Sequence, residues 1–362
     1  MEIKNGFVQI YYCFDVGESI DINRLEYVFG DQAEKSLIIC KRLTPPYIQY
    51  KTPPLFIREG EKKIKIGAEE INSTIDIKIY NFGVVTIRIS IPLRCNIDEL
   101  VEMSNLIVGN EEIRNLSISQ LNKIIEKIHF AISQPQKNPS DEWEDYYIYL
   151  LHEIDEETLL LEKYRNQIAM ILRSEKEMSQ FEIEDALKYK LSYHANDLTI
   201  IDWNSSFIYD PEKSYDIQDI IEFAVIQLLE LRLYDSILDS VIEQAYNDIG
   251  EHTSKKFKLF PFSSPIDKLS EIKLDISEII DRIENYLKLI GDLYLAKVYA
   301  VAYSRFYLDK WKSAVRDKLN TIESLYSKAW EHSQTRKMVI AEIAIVILFI
   351  LDVILIFYGL LK

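Results

Sequence analysis

Few residues in this chain have the types and spacing that chemistry requires. His194 is followed by Asp197 and Asp202. An imidazole near carboxylates could form an acid–base pair if two strands bring them face to face. A cavity gathering His194 with Asp197 or Asp202 would favour an enzyme or small-ligand sensor. His152 lies in an acidic run from Asp141 to Glu157. Its spacing fits no ligand pattern such as HExxH, so the run reads as a solvated acidic edge. A third feature is a carboxylate in apolar surroundings, Asp352 within EIAIVILFILDVILIFYGLLK.

The common catalytic signatures are missing. With ten glycines the chain has neither GxxxxGK nor GxGxxG, and it also lacks GxSxG. Cys13, Cys40 and Cys95 are widely spaced and suggest neither a disulfide framework nor a zinc site. No cofactor is expected. Enzymatic activity is left open, and the missing motifs lean against it. A net charge of −16 opposes extensive binding to a phosphate backbone.

The elements that must position these residues fall into three parts. Residues 1–212 read as an α+β domain. FVQIYYCFDV and SLIICKRL are strand-like, and residues 21–30 form a short helix. Ile75, Ile77 and Ile79, then Val85, Ile87, Ile89 and Ile91, alternate with polar residues around Asn81-Phe82-Gly83, which predicts a β-hairpin. Pro45, Pro46, Pro53 and Pro54 predict a stiff extended loop. Helices are expected near 97–108 and 117–132, the second capped by Ser117 or Ser119. YYIYLLHEI is strand-like, residues 156–173 and 180–188 are amphipathic helices, and two strands should meet at Asp202-Trp203-Asn204.

Residues 213–337 form a helical region. Apolar positions from Ile217 to Ile249 predict a long helix starting at Asp216 and closed by Gly250. A linker follows near 250–265. Ile276, Ile280, Ile283, Leu287 and Ile290 then recur with coiled-coil spacing, which fits an intramolecular hairpin or a dimeric coiled coil. An irregular stretch is expected near Arg305-Phe306-Tyr307.

The last part, 338–361, is apolar enough to predict one transmembrane helix, roughly 36 Å long at ~1.5 Å per residue. Lys328, Arg336 and Lys337 precede it and Lys362 follows. The positive-inside rule then keeps the N-terminal domain cytoplasmic. No cleavable targeting segment is apparent at the N-terminus. Glu342, an interfacial acid, can reach water. Asp352 must either be protonated or hydrogen-bond across a helix–helix contact, which makes it the candidate for oligomerisation. The expected protein is a tail-anchored, oligomeric, non-enzymatic scaffold or tether at a lipid bilayer.

Four stretches also carry a resemblance. They are YYCFDVGESIDINRLEYVF, the NFGVV turn at Asn81 to Val85, the helix FAVIQLLELRLYDSILDSVIE, and the C-terminal helices ending in Glu342 and Asp352. In these the chain resembles the family of membrane proteins required for meiotic nuclear division, whose relatives include sporulation proteins and a mitochondrial inner-membrane protein. The resemblance implies a non-enzymatic tether, associated in eukaryotic members with ribosomes at the mitochondrial membrane. Without a mitochondrial presequence, a prokaryotic relative in the cell membrane fits this chain better.

Overall fold

The computed structural model describes residues 1–29, 33–35, 53–155, 160–214, 216–254, 273–274, 276–277 and 292–360. The expected strand at 36–43, Pro45 and Pro46, the linker beyond residue 254 and most of the 276–290 heptad series lie outside these residues. The chain divides into two compact units. One is Met1–Leu233 with Asp281–Trp311, and the other is Tyr234–Ile280 with Lys312–Lys362.

The first unit is built on a nine-stranded sheet. Its strands are β1 (Glu2–Asp15), β3 (Ala33–Lys35), β4 (Leu55–Ile66), β5 (Glu69–Ile79), β6 (Val84–Asn96), β8 (Trp143–Ile154), β9 (Lys190–Leu191), β10 (Leu198–Ile201) and β11 (Ser205–Tyr209). They run in the order β3-β4-β5-β6-β1-β8-β11-β10-β9. All neighbours are antiparallel except β8 and β11, which are parallel. A separate pair joins β2 (Gly17–Ile20) to β7 (Ile132–Pro135).

Alternation along each strand divides the sheet into two faces. One carries Val8, Ile10, Tyr12 and Phe14 of β1, Ile87, Ile89 and Ile91 of β6, and Tyr147, Tyr149 and Leu151 of β8. The helices that complete this core are α1 (Ile22–Phe29), α2 (Ile97–Ile107), α3 (Glu111–Ile128), α5 (Arg165–Arg173) and α6 (Gln180–Ala186). A short α4 (Leu160–Lys163) precedes α5. Asn96 starts α2 with a reciprocal capping box to Glu99. Asn110, rather than Ser117 or Ser119, caps α3, because the Ser117 hydroxyl already donates to the Arg114 carbonyl inside the helix.

The other face carries Gln9, Tyr11, Lys78, Thr86, Arg88, Tyr146, Ile148 and His152. It is met by the first turns of α7 (Asp216–Ser254) and by α8 (Leu293–Arg305). The acidic run around His152 is therefore only in part a solvated edge: Asp141, Glu142, Glu153 and Asp155 are exposed, but the strand between them is not. Tyr146 to Leu151 are buried on both faces of β8, a central strand, as the near-continuous apolar stretch between the acids requires. His152 is only 7% exposed, and its Nδ1 lies 2.9 Å from the Asp210 carbonyl.

The long helix α7 does not close at Gly250 but runs to Ser254. A break at Phe306 and Tyr307, the latter at φ 55°, separates α8 from α9 (Leu308–Leu360). In the second unit, Lys318 pairs with Asp235 and Asp239 at 2.7 Å each. Leu238, Val241, Val315 and Ile322 are buried there.

The C-terminal expectation needs correction. Among the described residues, no helix is long and apolar enough to cross a membrane. The apolar stretch whose side chains are described, Ile343 to Ile354, has Asp352 within it. The structure therefore does not support a transmembrane segment at 338–361, a tail anchor, or a single-pass membrane protein with its N-terminal domain held cytoplasmic.

Candidate functional site

Three loops at one end of the sheet line a half-open cavity of about 510 Å³ within the first unit. The turn after β9 contributes Tyr193, His194, Asn196 and Asp197. The segment from β11 into α7 contributes Asp210, Glu212, Ser214 and Asp216, and the start of α8 contributes Asp292, Tyr294 and Leu295.

Each segment is shaped by one carboxylate that accepts from backbone amides. Asp197 accepts from the N–H groups of Tyr193 at 2.8 Å and His194 at 2.9 Å. Asp210 accepts from Glu212 at 2.9 Å and Ser214 at 2.7 Å, around Lys213 at φ 58°. Asp292 caps α8 through Tyr294 at 2.7 Å and Leu295 at 3.1 Å. Short acidic side chains suit these positions because they satisfy amides that loops and helix starts leave open.

The walls are aromatic. The rings of Tyr193 and Tyr294 meet edge-to-face at 5.1 Å, and Tyr193 meets His194 in the same way at 4.6 Å. Tyr209, Ile217 and Leu295 form a buried floor. The Tyr294 hydroxyl lies 3.5 Å from Thr199 Oγ1, and burial pushes its phenol above the usual range. His194 Nε2 lies 3.6 Å from Glu212 Oε1, with both side chains largely exposed.

His194 and Asp197 thus line one cavity, but not as a catalytic pair. Both Asp197 oxygens hold backbone amides, so this acid orients the turn and not the imidazole. Asp202 belongs to a different cluster. Its side chain is fully buried and pairs with Arg173 and with Arg305, at the end of α8. Asp185 joins them, 2.7 Å from Arg173 and 2.8 Å from Arg305. Burial pushes the Asp202 carboxyl up, and the two guanidiniums pull it back. The hydrogen bond from Arg305 leads in holding Asp185 below its usual range.

A third polar group lies beneath α7. Lys78 reaches Asp219 at 2.5 Å and Glu222 at 2.6 Å, and the Tyr80 hydroxyl donates to Glu222 at 2.9 Å. Burial works against the Lys78 charge, but the Asp219 and Glu222 carboxylates outweigh it and hold its pKa above the usual range. On the neighbouring strand Arg88 pairs with Asp76 at 2.6 Å.

The C-terminal candidates stand apart from these groups. Glu342, Asp352 and Lys328 are exposed on α9. The side chains of Arg336 and Lys337 lie outside the described residues. Among the described residues, no group of three His, Cys, Asp or Glu could hold a metal ion. Sequence reasoning missed Asp292, Tyr294 and Asp210. The Asp-x-Tyr-Leu start of α8 was a readable cap signal, but nothing in the sequence placed it against residues 193–197.

No solved structure matches this chain. A relative from Methanocaldococcus jannaschii, described as uncharacterized protein MJ0711, is 29% identical over 251 residues, covering 68% of this chain and 76% of the relative. A family model described as uncharacterized protein MJ0711, N-terminal domain, matches residues 5–216, which include the whole sheet from β4 onward and two of the three segments around the cavity. By that match, the chain belongs to the family of the MJ0711 N-terminal domain.

Proposed function

We propose that the first unit is a non-catalytic binding module that senses a small ligand in the cavity between β9, β11 and α8. One observation carries this reading. Three distant segments, each braced by its own carboxylate, converge on a tyrosine-walled space of a size that suits small ligands. The braced backbone favours a preformed site over one that must be ordered on binding.

The test is a thermal-shift screen of the full chain against a small-molecule library. A ligand at 100 times its Kd adds about 2.7 kcal/mol of stability. Asn196→Trp should abolish the shift by filling the cavity from an exposed position, while the unliganded Tm stays unchanged. Shifts that survive Asn196→Trp would place the ligand elsewhere and sink the reading.

A second reading, an oligomeric scaffold, is favoured by the exposed apolar side chains from Ile343 to Ile354 on α9. Contiguous exposed apolar surface commonly marks an interaction site. The likeness to proteins required for meiotic nuclear division supports a tethering role of this kind. Sedimentation of the full chain should then show an oligomer that Asp352→Leu alters. A monomer at all concentrations would remove this reading.

A further inference from the structure

We infer that the Lys78 network is a register pin for α7: it fixes where the helix sits along the sheet and adds little net stability.

The apolar surface of α7 cannot set that position alone. Every residue from Ile220 to Leu231 is buried, and all but Glu222, Gln227 and Glu230 are apolar. Helical spacing places Val225, Ile226 and Leu229 on the same face as Glu222. Apolar side chains of similar size exchange places at small cost. A slide of one turn, ~5.4 Å, therefore trades one apolar fit for another.

The polar contacts of this part of α7 differ in what they hold. The Tyr299 hydroxyl ties Gln227 to α8, and the Arg232 pair with Glu144 is half exposed on the Arg232 side. Lys78, Asp219 and Glu222 instead join helix to sheet in a largely buried place, with the Tyr80 hydroxyl on Glu222.

This network resists a slide in either direction. Moving the helix toward its N-terminus puts Val225 or Ile226 where Glu222 stands. The Lys78 side chain, 7% exposed, then has no carboxylate. Breaking a buried pair in this way is strongly unfavourable. Asp76, two positions along β5, is no substitute because it already holds Arg88 at 2.6 Å. Moving the helix the other way draws Asp219 toward that place, but it stretches the segment that Asp210 braces through Glu212 and Ser214.

Gln218 shows which interaction decides. It lies one turn before Glu222 and is fully buried, yet neither end of its amide finds a partner. The helix keeps a register that leaves this amide unpaired and the Lys78 charge matched, as the larger penalty for a stranded charge requires. Asp216 and Ile217 on the same helix line the cavity, so the pin also sets that wall.

The test combines Lys78→Met, Tyr80→Phe, Asp219→Leu and Glu222→Met in the full chain, labelled with 5-fluorotryptophan for ¹⁹F NMR. Trp311 reports the register, because the Arg232 guanidinium of α7 lies over its ring at 5.3 Å. Trp143, packed against Tyr12 at 5.5 Å on the opposite face of the sheet, is the control. Apolar replacement of a buried ion network is often neutral or stabilising, so the urea midpoint should hold or rise. The Trp311 resonance should split or broaden while Trp143 stays single. A single, unshifted Trp311 resonance in this variant would overturn the pin. A lowered midpoint or a failure to fold would make the network a source of stability and overturn it equally.

Discussion

The cluster around Asp202 and the cavity around Asp197 contain acids only five positions apart in sequence, yet they are built on opposite rules. Asp202 is sealed between two guanidiniums, with no exposure of its side chain. Asp197 faces an open space and holds only neutral backbone amides. A buried charge with its partner fixes how elements join, and removing either member leaves the other stranded. A half-buried acid on neutral backbone donors orients the turn it belongs to. The contrast separates an acid that joins distant elements from one that shapes a single turn.

The sharpest way to break this comparison is Asp202→Asn, which leaves Arg173 and Arg305 without their shared anion. It should cost ~3–5 kcal/mol, the range for breaking a buried pair, measured by urea unfolding. Lys78→Met should cost nearly as much by stranding Asp219 and Glu222, and adding Glu222→Gln should recover part of the loss. If the double variant is no better than the single one, the charges are not coupled.

Asp185 gives a smaller, pH-dependent effect. Its folded pKa lies below the unfolded value, so its contribution is present above about pH 4 and is lost as pH falls through the folded pKa. Asp185→Asn should flatten the acid limb of the stability profile below about pH 4, and an unchanged limb would contradict the pairing. Asp197→Asn should change stability least, within ~0.5 kcal/mol, since an amide oxygen can still accept from one of the two backbone groups. A loss above 2 kcal/mol would move Asp197 into the structural class and erase the contrast.

Local pattern made some of this readable and left the rest hidden. The alternation from Ile75 to Ile91 identified the β5–β6 hairpin, because period 2 and a glycine turn are local signals. The position of β8 was not readable. Its acids suggested solvent, whereas its place depends on pairing with β1 across more than a hundred residues and with β11 across 58. Gly250 was read as a helix end, but a single interior glycine costs a helix only ~1 kcal/mol relative to alanine, and α7 continues past it. The apolar run after Met338 was read by composition alone, which cannot register how α9 presents it. Half of the site was legible because His194 and Asp197 share one turn. Asp292 and Tyr294 reach it only through the packing of α8.

That return of α8 bears on the order in which the protein can fold during synthesis. Every strand of the large sheet has been made by Tyr209, but the Arg305 that ties α8 to Asp202 is made much later. At ~5–20 residues per second the ribosome needs roughly 5–20 s to cover that interval. Throughout it, Tyr146 and its neighbours on the second face lack part of their final cover. A nascent chain paused in this window should be the form most easily bound by chaperones and most easily cut by proteases.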